Sequence, residues 1–181
     1  MGAGRLFAVV GPSGVGKDTL MAQAKAHRPD LHLARRVITR PAEAGGEAFD
    51  SVAPAQFERM RAAGAFALSW RAHGLHYGIP AGIDAVLAGG RDVVFNGSRG
   101  VLADAAARYP GLRVIHVTAC PQVLAQRLAG RGRESAAQIE ARLARADYAL
   151  PRGMDVTTIA NDGALEGAVA AVLAALQPAR R

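Results

Sequence analysis

Hydrophobic positions along this chain fall into short blocks of two kinds. Leu6–Val10 (LFAVV) is five apolar residues in a row, the pattern of a strand buried on both faces. Shorter blocks at 35–38, 65–70, 92–95, 112–118 and 156–159 predict further strands. Between them run stretches of helical character. Lys17–His27 is stopped by Pro29, 54–63 by Gly64, and 83–88 by Gly89 and Gly90. Residues 101–108 form another such stretch, and 121–129 starts with proline in its first turn. Residues 135–148 begin with Ser135 and Gln138 placed as a capping box, and 164–176 is a last helix. Three segments read as connections: 39–51, rich in Gly, Pro and acids; 73–80, turn-rich; and 130–134, basic and flexible. Strands alternating with helices predict an α/β fold whose central parallel sheet is covered on both faces. No repeat or linker divides the chain, so one domain over 1–181 is expected.

The most informative connection follows the first strand. Gly11-Pro12-Ser13-Gly14-Val15-Gly16-Lys17 fits G-x-x-x-x-G-K, preceded by a strand and followed by a helix. Glycines let the chain curl until successive backbone N–H groups face inward onto phosphate oxygens, and the helix N-terminus adds partial positive charge. Lys17 is then the residue for the β- and γ-phosphates of ATP, with Thr19 assisting. Asp18 stands where Ser or Thr is usual. An aspartate beside a triphosphate is repelled by several kcal/mol unless a cation lies between them. Carboxylate oxygen suits Mg²⁺, so Asp18 is the candidate metal ligand.

Composition refines this reading. Half of the 181 residues are hydrophobic and 20% are charged, as in a globular chain. The net charge is +7, and the 22 basic residues include only two lysines, Lys17 and Lys25. Arginine forks suit phosphate, although such an excess also arises from base composition alone. Net charge by itself implies only nonspecific affinity for nucleic acid, so no nucleic-acid partner is expected. The lone Cys120 excludes an intrachain disulfide and a cysteine metal cluster. The N-terminus lacks signal-peptide character, and the longest apolar stretch is interrupted by Glu166. A cytoplasmic protein, monomer or homodimer, without membrane association is expected. His27, His32 and His116 lack metal-ligand spacing, and neither an N-K-x-D nor a D-x-x-G element of a GTPase switch is present.

The acceptor side begins at Arg35-Arg36-Val37-Ile38-Thr39-Arg40, where Arg36 and Arg40 flank a loop and can converge on one phosphate. His73–Gly78 adds Tyr77 in a glycine-flanked turn, with His73 and His76 beside it. Over nearly its whole length the chain resembles the guanylate kinase family. The likeness rests on GPSGVGK at 11–17, ITR ending at Arg40, GGE at 45–47, HGLHYG at 73–78, AGGRDVV at 88–94 and RLAGRGRES at 127–135. It implies a three-layer P-loop fold with an acceptor-binding insertion at about 35–80 and a lid at about 127–142. It also implies acceptor-phosphate roles for Arg36, Arg40 and Tyr77, with Glu47 in the substrate-binding set. Lid roles fall to Arg127, Arg131 and Arg133, the last two catalytic together with Lys17. Arg142 and Arg145 follow at helical spacing, and Asn161 lies where that family approaches adenine.

The departures from the family narrow the acceptor. Guanylate kinases place a guanine-reading glutamate just before a tryptophan-like position, and here Ser69 precedes Trp70. The serine after the tyrosine-glycine pair is Ile79, and Phe95-Asn96-Gly97-Ser98-Arg99 replaces an acidic strand end. Phosphate-reading residues remain while base-reading ones are gone. In this the chain is similar to the guanylate-kinase-like enzymes of phosphonate degradation that phosphorylate ribose 1,5-bisphosphate with ATP. Its GKD, RRVITRP, HGLHYGIP and NGSR segments carry that similarity. A ribose phosphate acceptor is therefore expected, with Asn96, Ser98 and Arg99 as candidates for the sugar or its second phosphate. The alternative is a nucleoside monophosphate kinase of the guanylate type.

Overall fold

In the computed structural model, Leu6–Val10 is β1 and all five of its residues are buried. It lies between two parallel neighbours, Val93–Asn96 (β7) and Arg113–Thr118 (β8). Strand side chains alternate. Leu6, Ala8 and Val10 therefore enter one core cluster, and Phe7 and Val9 enter the other. A strand with no polar face is what a sheet covered on both sides demands. The structure describes residues 2–42, 48–130, 135, 137–139, 141 and 149–177.

The chain continues through α1 (Lys17–His27), β2 (His32–Leu33), β3 (Val37–Ile38), β4 (Asp50–Ser51), α2 (Pro54–Ala62), β5 (Phe66–Ala72), β6 (Leu75–Pro80) and α3 (Ile83–Ala88). After β7 come a 3₁₀ turn (Arg99–Val101), α4 (Leu102–Arg108), β8, α5 (Pro121–Gly130), β9 (Asp155–Ala160) and α6 (Leu165–Ala175). The main sheet has the order β2-β7-β1-β8-β9, and every pairing in it is parallel. Leu20, Met21 and Ala24 of α1 pack on one face with Ala168, Val169 and Val172 of α6. The other face meets Ile83 and Leu87 of α3, Leu102 and Ala105 of α4, and a second sheet of order β4-β3-β6-β5. Both sheets share that core. The connection from β1 runs toward β2 and that from β7 crosses to β8, so the two leave neighbouring strands in opposite directions. The carboxyl ends of strands at such a switch point are where α/β folds bind ligands.

Most predicted elements are present within a residue or two of their expected bounds. Three are not as expected. Most of the turn-rich segment 73–80 is β6 (Leu75–Pro80), paired antiparallel with β5 through a two-residue turn in which His73 (φ 51°) and Gly74 (φ 74°) are both left-handed. Gly78 and Pro80 disguised the strand. A Cβ at Gly78 would lie 2.6 Å from the Phe66 ring, so the glycine admits a neighbour and does not break the strand. Within the expected loop 39–51, Asp50–Ser51 pairs parallel with β3. His32–Leu33, read as no element, forms the sheet edge against β7. The capping box is present: Ser135 N–H donates to Gln138 Oε1 (2.8 Å) and Gln138 N–H to Ser135 Oγ (3.3 Å). Among the described residues, no helix is long and apolar enough to cross a membrane.

The amino end of the sheet is tied by one carboxylate. Asp92, 7% exposed, accepts from Arg5 Nη2 (2.5 Å) and from Arg28 Nη1 (3.2 Å). Arg5 also donates to the carbonyls of Leu176 (2.7 Å) and Gln177 (2.8 Å), which closes the end of α6. Burial pushes the Asp92 carboxyl up, but the Arg5 and Arg28 bonds outweigh it and hold the group below its usual range. A depressed carboxylate pKa contributes stability that is present above the unfolded value of about 4 and is lost as pH falls through the folded value. Asp92→Asn should therefore destabilise the protein by about 2 kcal/mol near neutrality. In thermal melts, the gap between variant and wild type should close below about pH 4.

Candidate active site at the carboxyl end of the sheet

The turn from β1 into α1 is possible only without certain side chains. Gly16, at the helix N-cap, has φ 98°, and a Cβ there would lie 2.7 Å from Asn161 Nδ2. A Cβ at Gly11 would lie 2.3 Å from the Val117 carbonyl oxygen. The loop so formed wraps its own lysine: Lys17 Nζ donates to the carbonyls of Gly11 (2.8 Å) and Pro12 (3.3 Å). Ser13, Asp18 and Thr19 are exposed at its rim.

Behind the loop sits a brace. Asn161, just past β9 and 4% exposed, donates from Nδ2 to the Val15 carbonyl (2.8 Å). Arg127 of α5 donates to the same carbonyl (3.3 Å) and to the Asn161 carbonyl (2.8 Å). Asn161 is itself fixed by its N–H to the Thr118 carbonyl (2.7 Å), and Asp162 accepts from the Cys120 N–H. Thus Arg127, assigned from sequence to the lid and nucleotide, holds the back of the loop. Asn161 does the same rather than presenting its amide to a base. The sequence signal for this brace was slight: an asparagine directly after the last strand.

In front of the loop, the second sheet faces it. The Asp18 carboxylate accepts from Asn96 Nδ2 at 2.7 Å, which joins the start of α1 to the end of β7. Arg36 is 9% exposed, with Cζ 5.1 Å from the centroid of the Tyr77 ring. Tyr77 in turn stacks on Trp70 (5.3 Å, 8° between planes). Burial pushes the Arg36 guanidinium down to about 10, while Tyr77 and Asp18 raise it and Arg40 lowers it, so it stays charged at neutral pH. Arg40 lies over Phe49 (4.2 Å), and its Nε and Nη2 are buried with no hydrogen-bond partner among the described residues. Trp70 Nε1 is likewise buried and unpartnered. Thr39 steadies this turn, accepting from the His76 N–H (2.9 Å) while its own N–H donates to the His76 carbonyl (3.1 Å). Buried donors without acceptors are costly unless a ligand supplies oxygen atoms.

The structure thus brings Asn96 onto Asp18, and sets Arg36 near Asp18, Arg40 and Tyr77, with Lys17 next to Asp18 in the loop. Ser98 and the exposed Arg99 sit at the carboxyl end of β7, where the 3₁₀ turn begins. Ser69 is different. With Glu58, Arg71 and His76 it lines a cleft against α2, on the opposite face from Tyr77. In the β5–β6 register Trp70 pairs with Tyr77 and Ser69 with Gly78, so Ser69 projects from the face away from Tyr77. Glu47, Arg131, Arg133, Arg142 and Arg145 lie outside the described residues. Among the described residues, no group of three or more His, Cys, Asp or Glu could hold a metal ion.

No protein-family model matches the chain. It is 51% identical over 178 residues to a protein of Ruegeria sp. named ribose 1,5-bisphosphate phosphokinase PhnN, covering 98% of this chain and 94% of that one. A protein of the same name from Agrobacterium fabrum is 47% identical over 175 residues, covering 95% and 96%. The crystal structure of guanylate kinase from Anaplasma phagocytophilum superposes with a TM-score of 0.68 at 18% identity, covering 97% of this chain and 85% of that one. That likeness establishes the P-loop α/β fold.

The brace yields a direct expectation. Gly16→Ala forces a side chain onto Asn161 at a left-handed φ, a cost of about 1–3 kcal/mol. Triphosphate binding, followed by calorimetry, should weaken about tenfold or more, with the far-ultraviolet circular dichroism unchanged.

Proposed function

The chain belongs to the ribose 1,5-bisphosphate phosphokinase family, and from that premise we propose how its residues divide the work. The reaction moves the γ-phosphoryl group of ATP to the phosphate on carbon 1 of ribose 1,5-bisphosphate, giving 5-phosphoribosyl 1-diphosphate and ADP. The P-loop receives ATP. Lys17, which donates to the Gly11 and Pro12 carbonyls, serves the β- and γ-phosphates when ATP binds. Arg36 and Arg40 grip the acceptor phosphate. The observation that carries this assignment is Arg40, whose buried, unpartnered N–H groups lie beside Arg36 in a region that needs an anion.

A phosphate acceptor is largely dianionic at neutral pH, because its second pKa is about 6. No side chain has to remove a proton. The difficulty is bringing two polyanions into line, and positioning plus charge neutralisation supply most of the catalysis. Asp18 is the residue that would hold Mg²⁺. The donor set fits, since Mg²⁺ commonly takes one or two carboxylates, phosphate oxygens and water rather than an all-protein cage. Held there, Mg²⁺ would offset the negative charge of the phosphates. Arg131 and Arg133 belong to the proposed lid, which limits hydrolysis by excluding water. Asn96, Ser98 and Arg99 border the space for the sugar. The whole chain is taken to act as one kinase domain.

Two measurements test this. In an assay of ADP release with Mg-ATP, ribose 1,5-bisphosphate should exceed GMP by about a hundredfold or more in kcat/KM. A preference for GMP would overturn the acceptor assignment. Arg40→Ala should raise the acceptor KM by roughly 10- to 100-fold, the loss of a charged hydrogen bond, while ATP affinity stays within twofold or so.

A further inference from the structure

We propose that Asn96 is a positioning residue that acts on the transfer through Asp18 and not by touching the sugar. The inference rests on the reading of Asp18 as the metal-facing carboxylate. Asp18 is exposed in the first turn of α1, where nothing in the helix fixes its rotamer. Asn96 is 5% exposed, paired with Val9 in the β1–β7 register, and followed by a Gly97 N–H bonded to the Val9 carbonyl (2.9 Å). Its amide is therefore a fixed donor on the rigid sheet, 2.7 Å from Asp18 Oδ1. That bond anchors one oxygen of an exposed carboxylate that also lies within electrostatic reach of Arg36.

The residue type matters. A neutral amide orients a carboxylate without cancelling its charge. A lysine or arginine at 96 would neutralise Asp18 toward a cation, and an aspartate would repel it. Partners of this kind hold a ligating side chain in its working geometry, and removing one typically weakens metal binding about 10- to 100-fold. The sequence points to the opposite role, because a polar residue at a strand end beside the acceptor reads as a sugar contact. The direction of the amide, toward α1, overrides that reading.

The test measures binding without acceptor, so it does not depend on which sugar phosphate is used. Calorimetry would compare Mg-ATP with metal-free ATP for wild type, Asn96→Ala, Asp18→Asn and the double variant. Asn96→Ala should weaken Mg-ATP about tenfold or more and leave metal-free ATP unchanged. The double variant should be no weaker than Asp18→Asn alone, since both losses pass through one carboxylate. Should Asn96→Ala fail to fold, Asn96→Ser is read in the same way. Unchanged Mg-ATP affinity in Asn96→Ala together with a raised acceptor KM would make Asn96 a sugar contact and overturn the proposal. Additive losses in the double variant would overturn it too. No effect of Asp18→Asn would remove the metal role of Asp18 and this proposal with it, while leaving the acceptor assignment standing.

Discussion

A loop that binds phosphate with its backbone N–H groups must turn them all toward the ligand. Some of its carbonyl groups then face into the protein, where they need donors. That requirement organises the carboxyl end of this sheet. The Val15 carbonyl receives two donors, Asn161 from β9 and Arg127 from α5. The last strand and the helix leading toward the lid segment are thereby fastened to the nucleotide loop. Gly16 must be a glycine partly because Asn161 occupies the space beside it.

The two ends of the sheet handle charge in opposite ways. At the amino end, Arg5 and Arg28 share Asp92 and close the carbonyls of α6, so the cations there are spent on structure. At the carboxyl end, Arg36 and Arg40 lie close enough to oppose each other's charge, and Arg40 has buried N–H groups without acceptors. Like charges held together with unmet donors form a site already shaped for an anion, whose binding relieves both penalties.

Much of this was legible in the sequence. The apolar run before the glycine-rich loop and the helix after it fixed β1, the P-loop and α1. The family likeness located Arg36, Arg40 and Tyr77. What escaped had physical reasons. β6 was hidden because a glycine in a strand and a glycine in a turn look alike without knowledge that Phe66 covers Gly78. β2 and β4, two residues each, span a single period of the strand alternation, too little for a pattern to show. Ser69 holds the position of the family's base-reading glutamate, but the face it takes depends on strand register, set here by the two-residue turn at His73-Gly74. The bonds of Arg127 and Asn161 to loop carbonyls were not legible, because arginine and asparagine suit phosphates and bases as well as backbone carbonyls.

The stack of Arg36, Tyr77 and Trp70 has one more consequence. Trp70 is the only tryptophan in the chain. All indole fluorescence therefore originates on the strand that faces the acceptor crevice, one ring away from Arg36. The protein carries a built-in optical reporter in its acceptor half and none in its nucleotide loop, so its intrinsic emission separates events at the two substrates without any label.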